Sequence, residues 1–133
     1  MDNFRGVMIE ESLGSSKEVL KLVKILSTKV EDVTLNHATP WLSKWTLHAV
    51  EVPEDKAKVI AEMISQSLDY SQGTSWYADF KNSTHHYIIF RGKIFYIDRS
   101  SQEEYDKARD YGLSLGIPGH QVDFHPKVEE WER

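Results

Sequence analysis

The sequence predicts an α+β domain, and three observations carry that prediction. Apolar residues recur at helical spacing in three segments and at strand spacing in others, and 133 residues suffice for one contiguous core. The whole chain, residues 1–133, is therefore read as a single domain.

The elements follow in order. Phe4-Arg5-Gly6-Val7-Met8-Ile9-Glu10 is short and apolar-rich and ends at a turn cluster from Ser12 to Ser16, which predicts a strand. Ser15 and Glu18 have capping-box form, and Val19, Leu22, Val23, Leu26 and Val30 then recur at helical spacing, predicting a first helix. Val33 and Leu35, separated by Thr34 and flanked by Asp32 and Asn36, predict a short strand. His37 to Trp41 reads as a loop, and Trp45 to Val52 is β-branched and partly alternating, the second arm of a hairpin with a long tip.

Pro53, with Glu54 and Asp55 behind it, suits a helix start, and Ala57, Ile60, Ala61, Ile64 and Leu68 form one apolar face before the breaker run Ser71 to Thr74. Three strand-like runs follow, Trp76 to Phe80, His86 to Arg91 and Ile94 to Asp98, with a tight turn at Gly92-Lys93; together they predict a β-meander. Ser101 and Glu104 repeat the capping-box spacing at the head of a last helix through Tyr105, Ala108, Gly112 and Leu115, which stops at Gly116 before Pro118. The polar tail holds one short strand at Gln121 to Phe124. The order is that of a ferredoxin-like βαββαβ core, two helices on one face of an antiparallel sheet, with an added β-hairpin and a C-terminal helix.

Composition narrows the function. Sixteen basic against 21 acidic residues give a net charge of −5, which argues against a surface for nucleic-acid phosphates. No cysteine is present, which excludes disulfide scaffolds, thiolate zinc sites and cysteine nucleophiles. The segment Met1 to Glu10 carries Asp2, Arg5 and Glu10 and no long apolar run, so neither a signal peptide nor a membrane partner is expected and a cytoplasmic location is.

Few residues form a chemical pattern. His85 and His86 are neighbours on a predicted strand and point to opposite faces, and His120 and His125 lack a helical register, so no metal site and no cofactor are predicted. His37-Ala38-Thr39 matches one half of a two-histidine phosphoesterase pattern, and the second half is absent. Asp79, beside Tyr77 and His86, makes either an acid/base cluster on paired strands or a solvent-facing polar edge. The most informative feature is that Tyr87 to Phe90 and Ile94 to Ile97 are apolar on both faces. Both faces therefore need cover, from the C-terminal helix, a second subunit or a ligand.

Trp76-Tyr77-Ala78-Asp79-Phe80-Lys81-Asn82, with the hairpin Tyr87 to Phe90 and Lys93 to Phe95, resembles short conserved prokaryotic proteins of unknown function. The resemblance implies no activity and assigns no residue.

Two functional readings compete. In the first the chain is a non-enzymatic binding or regulatory module acting as a homo-oligomer, with a second copy as partner, a small-molecule ligand possible, and Trp41, Trp45, Tyr77 and Tyr87 as contact residues. Trp41 and Trp45 have the competing role of closing one end of the core. In the second it is a small hydrolase or isomerase in which His48, Asp79, His86 and Arg91 supply base, orienter and anion clamp.

Overall fold

The computed structural model describes residues 2–13, 17–32, 43–70 and 76–117. Its strands are β1 (Phe4–Ile9), β2 (Lys24–Asp32), β3 (Lys44–Val52), β4 (Tyr77–Lys81), β5 (His85–Phe90) and β6 (Lys93–Asp98), and its helices are α1 (Ala57–Ser67) and α2 (Gln102–Ser114). The strands form one six-stranded sheet in the order β2-β3-β1-β4-β5-β6, with every neighbouring pair antiparallel.

The α+β class stands, whereas the ferredoxin-like order does not. Where a first helix was expected, Glu18–Lys21 makes a single 3-10 turn and β2 follows as an edge strand. The physical reason lies in a β-bulge between Ile25 and Ser27. Ile25 faces Val50 and Val30 faces Thr46, so two apolar residues five apart share a face. A regular strand would put them on opposite faces, but the extra residue resets the alternation and imitates helical spacing. The capping serine Ser15 and the predicted strands at Val33 to Asn36 and Gln121 to Phe124 lie outside the described residues.

One split βαβ unit does form. β3 and β4 both run antiparallel to β1, hence parallel to each other, and α1 crosses between them. All of the expected apolar face of α1 is buried: Ala57, Ile60, Ala61 and Ile64, with Leu68 as the C-cap. It packs with Phe4, Met8, Val50, Val52, Phe80 and Ile89. A Pro53 backbone at φ −58° leads into this helix through the 3-10 turn Glu54–Lys56 rather than opening it directly.

The meander is as expected, and Gly92 turns it with φ 71°, a left-handed conformation that glycine adopts without strain. Its two-sided apolar character is explained by α2, which lies on the face opposite α1. Ile88, Phe90 and Ile97 form a second core there with Tyr105, Ala108 and Ile117. Ser101 caps α2 by accepting from the Glu104 N–H at 3.2 Å. At the other end the Ile117 N–H donates to the Gly112 carbonyl and the Gly116 N–H to the Leu113 carbonyl, a Schellman stop closed by Gly116 at φ 87°.

Gly6 has a different job. A Cβ built there would stand 1.9 Å from the Asp79 carbonyl oxygen and 2.6 Å from the Phe80 Cα, so β1 and β4 approach more closely than any side chain permits. Both obstacles are backbone. Gly6→Ala is therefore expected to lower stability by at least about 3 kcal/mol, the upper part of the range for overpacking. A denaturant midpoint unchanged from wild type would show that the strands separate freely.

Candidate functional site

Sheet register decides which candidate residues meet. Val7 of β1 stands opposite Asp79, and its neighbour Met8 stands opposite His48. Adjacent residues on a strand project to opposite faces, so Asp79 and His48 lie on different sides of the sheet. His86 joins Asp79, because Lys81 faces His86 while Asp79 faces Ile88, all at the same parity. Arg91 sits in the β5–β6 turn. The structure thus brings together two of the four residues of the catalytic reading, and the shared cleft which that reading requires does not form from all four.

Asp79 and His86 make a chain with Tyr105 of α2. His86 Nε2 is 2.7 Å from Asp79 Oδ2, and His86 Nδ1 is 3.1 Å from the Tyr105 hydroxyl. An ionised carboxylate only accepts, so Nε2–H donates to Asp79, and in the neutral ring Nδ1 accepts from Tyr105. The three side chains are almost completely buried, at 3% for Asp79, 1% for His86 and 2% for Tyr105. Among the described residues both ring nitrogens of His86 are engaged and the ring is buried. The chain fixes the register of β4 and β5 and docks α2 on them.

The other two residues have structural partners as well. His48 Nδ1 lies 2.9 Å from the Thr28 hydroxyl and Nε2 lies 2.9 Å from Glu10 Oε1, so the imidazole ties β2 and β3 to the segment after β1. Arg91 donates from one guanidinium nitrogen to the carbonyls of Gln66 at 3.2 Å and Leu68 at 2.5 Å. It is a cationic cap on the C-terminal end of α1, where the helix dipole is negative.

The aromatic candidates do not share a surface. Trp45 is 2% exposed and packs on Trp76 with ring centroids 5.3 Å apart, so it closes one end of the core. Tyr77 is half-buried against Phe90, whereas Tyr87 lies on the α1 face against Phe4 and Phe80. Burial, then the neighbouring Tyr96 and Glu62, pushes the Tyr87 hydroxyl above its ordinary range. Trp41, His37, His120 and His125 lie outside the described residues. No group of three or more potential metal ligands occurs among the described residues, and no helix among them is long and apolar enough to cross a membrane.

An open groove lies on the part of the sheet that α2 leaves uncovered. Its volume is about 750 Å³, and it is lined by Arg5, Val7, Ala49, Glu51, Lys81 and Arg99, with Asp2 and Asn82 at the rim and Gly6 in the floor. Arg5, Val7, Ala49, Glu51 and Lys81 share the α2 side by register. Lys81 is also the cross-strand partner of His86, so the groove begins one strand away from the buried chain.

Charge in the groove is organised. Glu51 accepts from Asn3 Nδ2 at 3.1 Å and from Arg5 Nε at 3.2 Å, and these contacts, the one from Asn3 first, hold its carboxyl below the usual range. Asp2 accepts from the hydroxyl and the N–H of Ser83, which lowers it likewise. Both carboxylates are engaged. Arg99 donates to the Asn82 carbonyl at 2.6 Å, and its Nε is buried with no hydrogen-bond partner among the described residues. Leaving such a donor unpaired costs about 1–3 kcal/mol.

Sequence reasoning missed these cations. Arg5, Lys81 and Arg99 belong to no motif, and only strand register gathers them. Comparison with models of known families, with curated proteins and with solved structures finds no match.

Two predictions follow from burial. Trp45→Ala is expected to lower stability by about 3–5 kcal/mol, and urea unfolding of a well-folded variant with less than about 1 kcal/mol lost would return Trp45 to the list of surface contacts. Asp79→Ala leaves the imidazole N–H facing an empty site and is expected to cost about 1–3 kcal/mol, measured in the same way. A neutral effect would mean that the Asp79–His86 bond does not hold the strands.

Proposed function

We propose that this protein is a non-enzymatic binding module, acting as a homo-oligomer, that holds a small organic anion in the groove on the α2 side of its sheet. The supporting observation is the convergence of Arg5, Lys81 and Arg99, from three separate segments, on a floor made apolar by Val7 and Ala49. Such a site suits a carboxylate or phosphate carried on a short apolar body, because guanidinium and ammonium groups give charge-assisted hydrogen bonds while the floor takes the carbon skeleton. Glu51 is ion-paired with Arg5 and Asp2 is held by Ser83 at the rim, so Lys81 and Arg99 carry the positive charge offered to the anion.

Arg99 supports the same reading. A guanidinium N–H buried with no partner among the described residues carries a local cost, and such costs collect where a side chain is needed for binding. The hydrolase or isomerase reading receives less support, because the His86 nitrogens are both engaged beneath α2. A cytoplasmic location accords with the cysteine-free sequence.

Thermal unfolding with inorganic phosphate, citrate and short-chain dicarboxylates tests the proposal. A ligand at a hundred times its Kd is expected to add about 2.7 kcal/mol of stability. Arg99→Ala and Lys81→Ala should each weaken that ligand at least about tenfold, or about 1.4 kcal/mol, by titration calorimetry. No stabilisation by any of these anions, or equal stabilisation of both variants, would overturn the anion site.

A further inference from the structure

One hydroxyl on the α1 side of the sheet is both held by an imidazole and open to solvent. Thr28 stands opposite His48 across the β2–β3 ladder, and its Oγ1 lies 2.9 Å from His48 Nδ1. His48 Nε2 in turn lies 2.9 Å from Glu10 Oε1. An ionised carboxylate only accepts, so Nε2–H donates to Glu10, and in the neutral ring Nδ1 accepts from the Thr28 hydroxyl. A hydroxyl, an imidazole and a carboxylate in that order are the parts of an activated nucleophile. The burial differs from that of the Asp79–His86–Tyr105 chain, because His48 is 7% exposed whereas Thr28 itself is at the surface.

The surroundings of Thr28 say what it would attack. The pairs Ile25–Val50, Thr28–His48 and Val30–Thr46 place Ile25, Thr28 and Val30 in one row on this face, and the bulge between Ile25 and Ser27 is what brings Ile25 there. Ile25 and Val30 are 43% and 55% exposed, so the hydroxyl lies between two open apolar side chains, each about 7 Å away along the strand. A chain of roughly four to six carbons on Thr28 would reach either of them. Carboxylates flank the imidazole, Glu10 on His48 and Glu11 on Thr46, whose hydroxyl donates to it at 2.8 Å. They repel a phosphoryl donor, which arrives as an anion, and favour an uncharged acyl donor.

We propose that Thr28 is an acyl-acceptor nucleophile, activated by His48 and oriented through Glu10, that takes a short-chain acyl group from a thioester, with Ile25 and Val30 receiving the carbon chain. Thr28 Oγ1 bonds to the thioester carbonyl carbon while its proton passes to His48 Nδ1. The tetrahedral adduct then collapses with cleavage of the carbon–sulfur bond, and His48 returns the proton to the departing thiolate. An ester and a thiol result, and nothing is oxidised or reduced. Glu10 touches no reacting atom and is a positioning residue that holds the ring in the Nε2–H tautomer. This goes beyond the binding reading and does not depend on the anion groove, which lies on the α2 side.

Incubation of the full chain with the hexanoyl thioester of N-acetylcysteamine, read by intact mass and peptide mapping, tests it. Wild type is expected to gain one hexanoyl group, on Thr28, with no cysteine in the chain to compete for it. Thr28→Val, nearly isosteric and at an exposed position, should abolish the ester with circular dichroism unchanged, and Thr28→Ser should keep its rate within about tenfold. His48→Gln should slow acylation at least about a hundredfold. Glu10→Ala should slow it about tenfold and abolish the preference for the Nε2–H tautomer in nitrogen NMR. Ile25→Ser/Val30→Ser should slow hexanoyl transfer about tenfold and leave acetyl transfer within about twofold. No acylation, acylation confined to lysines, a Thr46 ester in place of a Thr28 ester, or a wild-type rate in His48→Gln would overturn the proposal. Hexanoyl transfer unaffected in the double variant would overturn the role of Ile25 and Val30. Thiol release beyond one equivalent that disappears in Thr28→Val would support the nucleophile and overturn the non-enzymatic reading alone.

Discussion

A strand that is apolar on both sides is stable only where both sides are shielded from water, and β5 imposes that condition on the whole molecule. Tyr87 and Ile89 point one way, Ile88 and Phe90 the other, and all four are buried. α1 therefore has to lie on one face and α2 on the other. Because α2 is only 13 residues long, among the described residues it shields β5 and β6 and does not reach Arg5 and Val7 of β1 or Ala49 and Glu51 of β3, which is where the groove opens. The groove is a by-product of how far the second layer reaches.

At the boundary between shielded and open sheet stands the Asp79–His86–Tyr105 chain. Buried polar groups tolerate little misalignment, because a half-satisfied network costs more than an apolar one. A carboxylate on β4, an imidazole on β5 and a phenol on α2 agree in only one relative placement of the three elements. The chain therefore contributes specificity of docking where apolar packing alone would allow α2 to slide. It also gives two residue types usually associated with proton transfer a structural role in the interior.

Much of this architecture was legible in the sequence, for identifiable reasons. The period of Ala57, Ile60, Ala61 and Ile64, the Gly92 turn, and the Ser101 and Gly116 caps are local signals whose meaning does not depend on distant residues, and each is realised. β2 was misread because a bulge is a tertiary fact: pairing with β3 decides where the extra residue falls. Asp79 and His86 were legible as a pair from the meander, but Tyr105 was not, since nothing in the sequence says on which face α2 lands. The groove was illegible for the same reason, its residues being spread over the chain from Asp2 to Arg99.

The place of β1 carries a consequence for how the chain assembles. This strand is the first in sequence yet central in the sheet, with Phe4 against Val52 on one side and Gly6 against Phe80 on the other. The meander of β4, β5 and β6 can close through neighbouring contacts, whereas β1 must wait for partners made long after it. During synthesis one edge of it waits for β3, complete at Val52, and the other stays unpaired until Phe80 has emerged. Long-range pairing of this kind slows folding and lengthens the interval in which an apolar strand is open to misassociation.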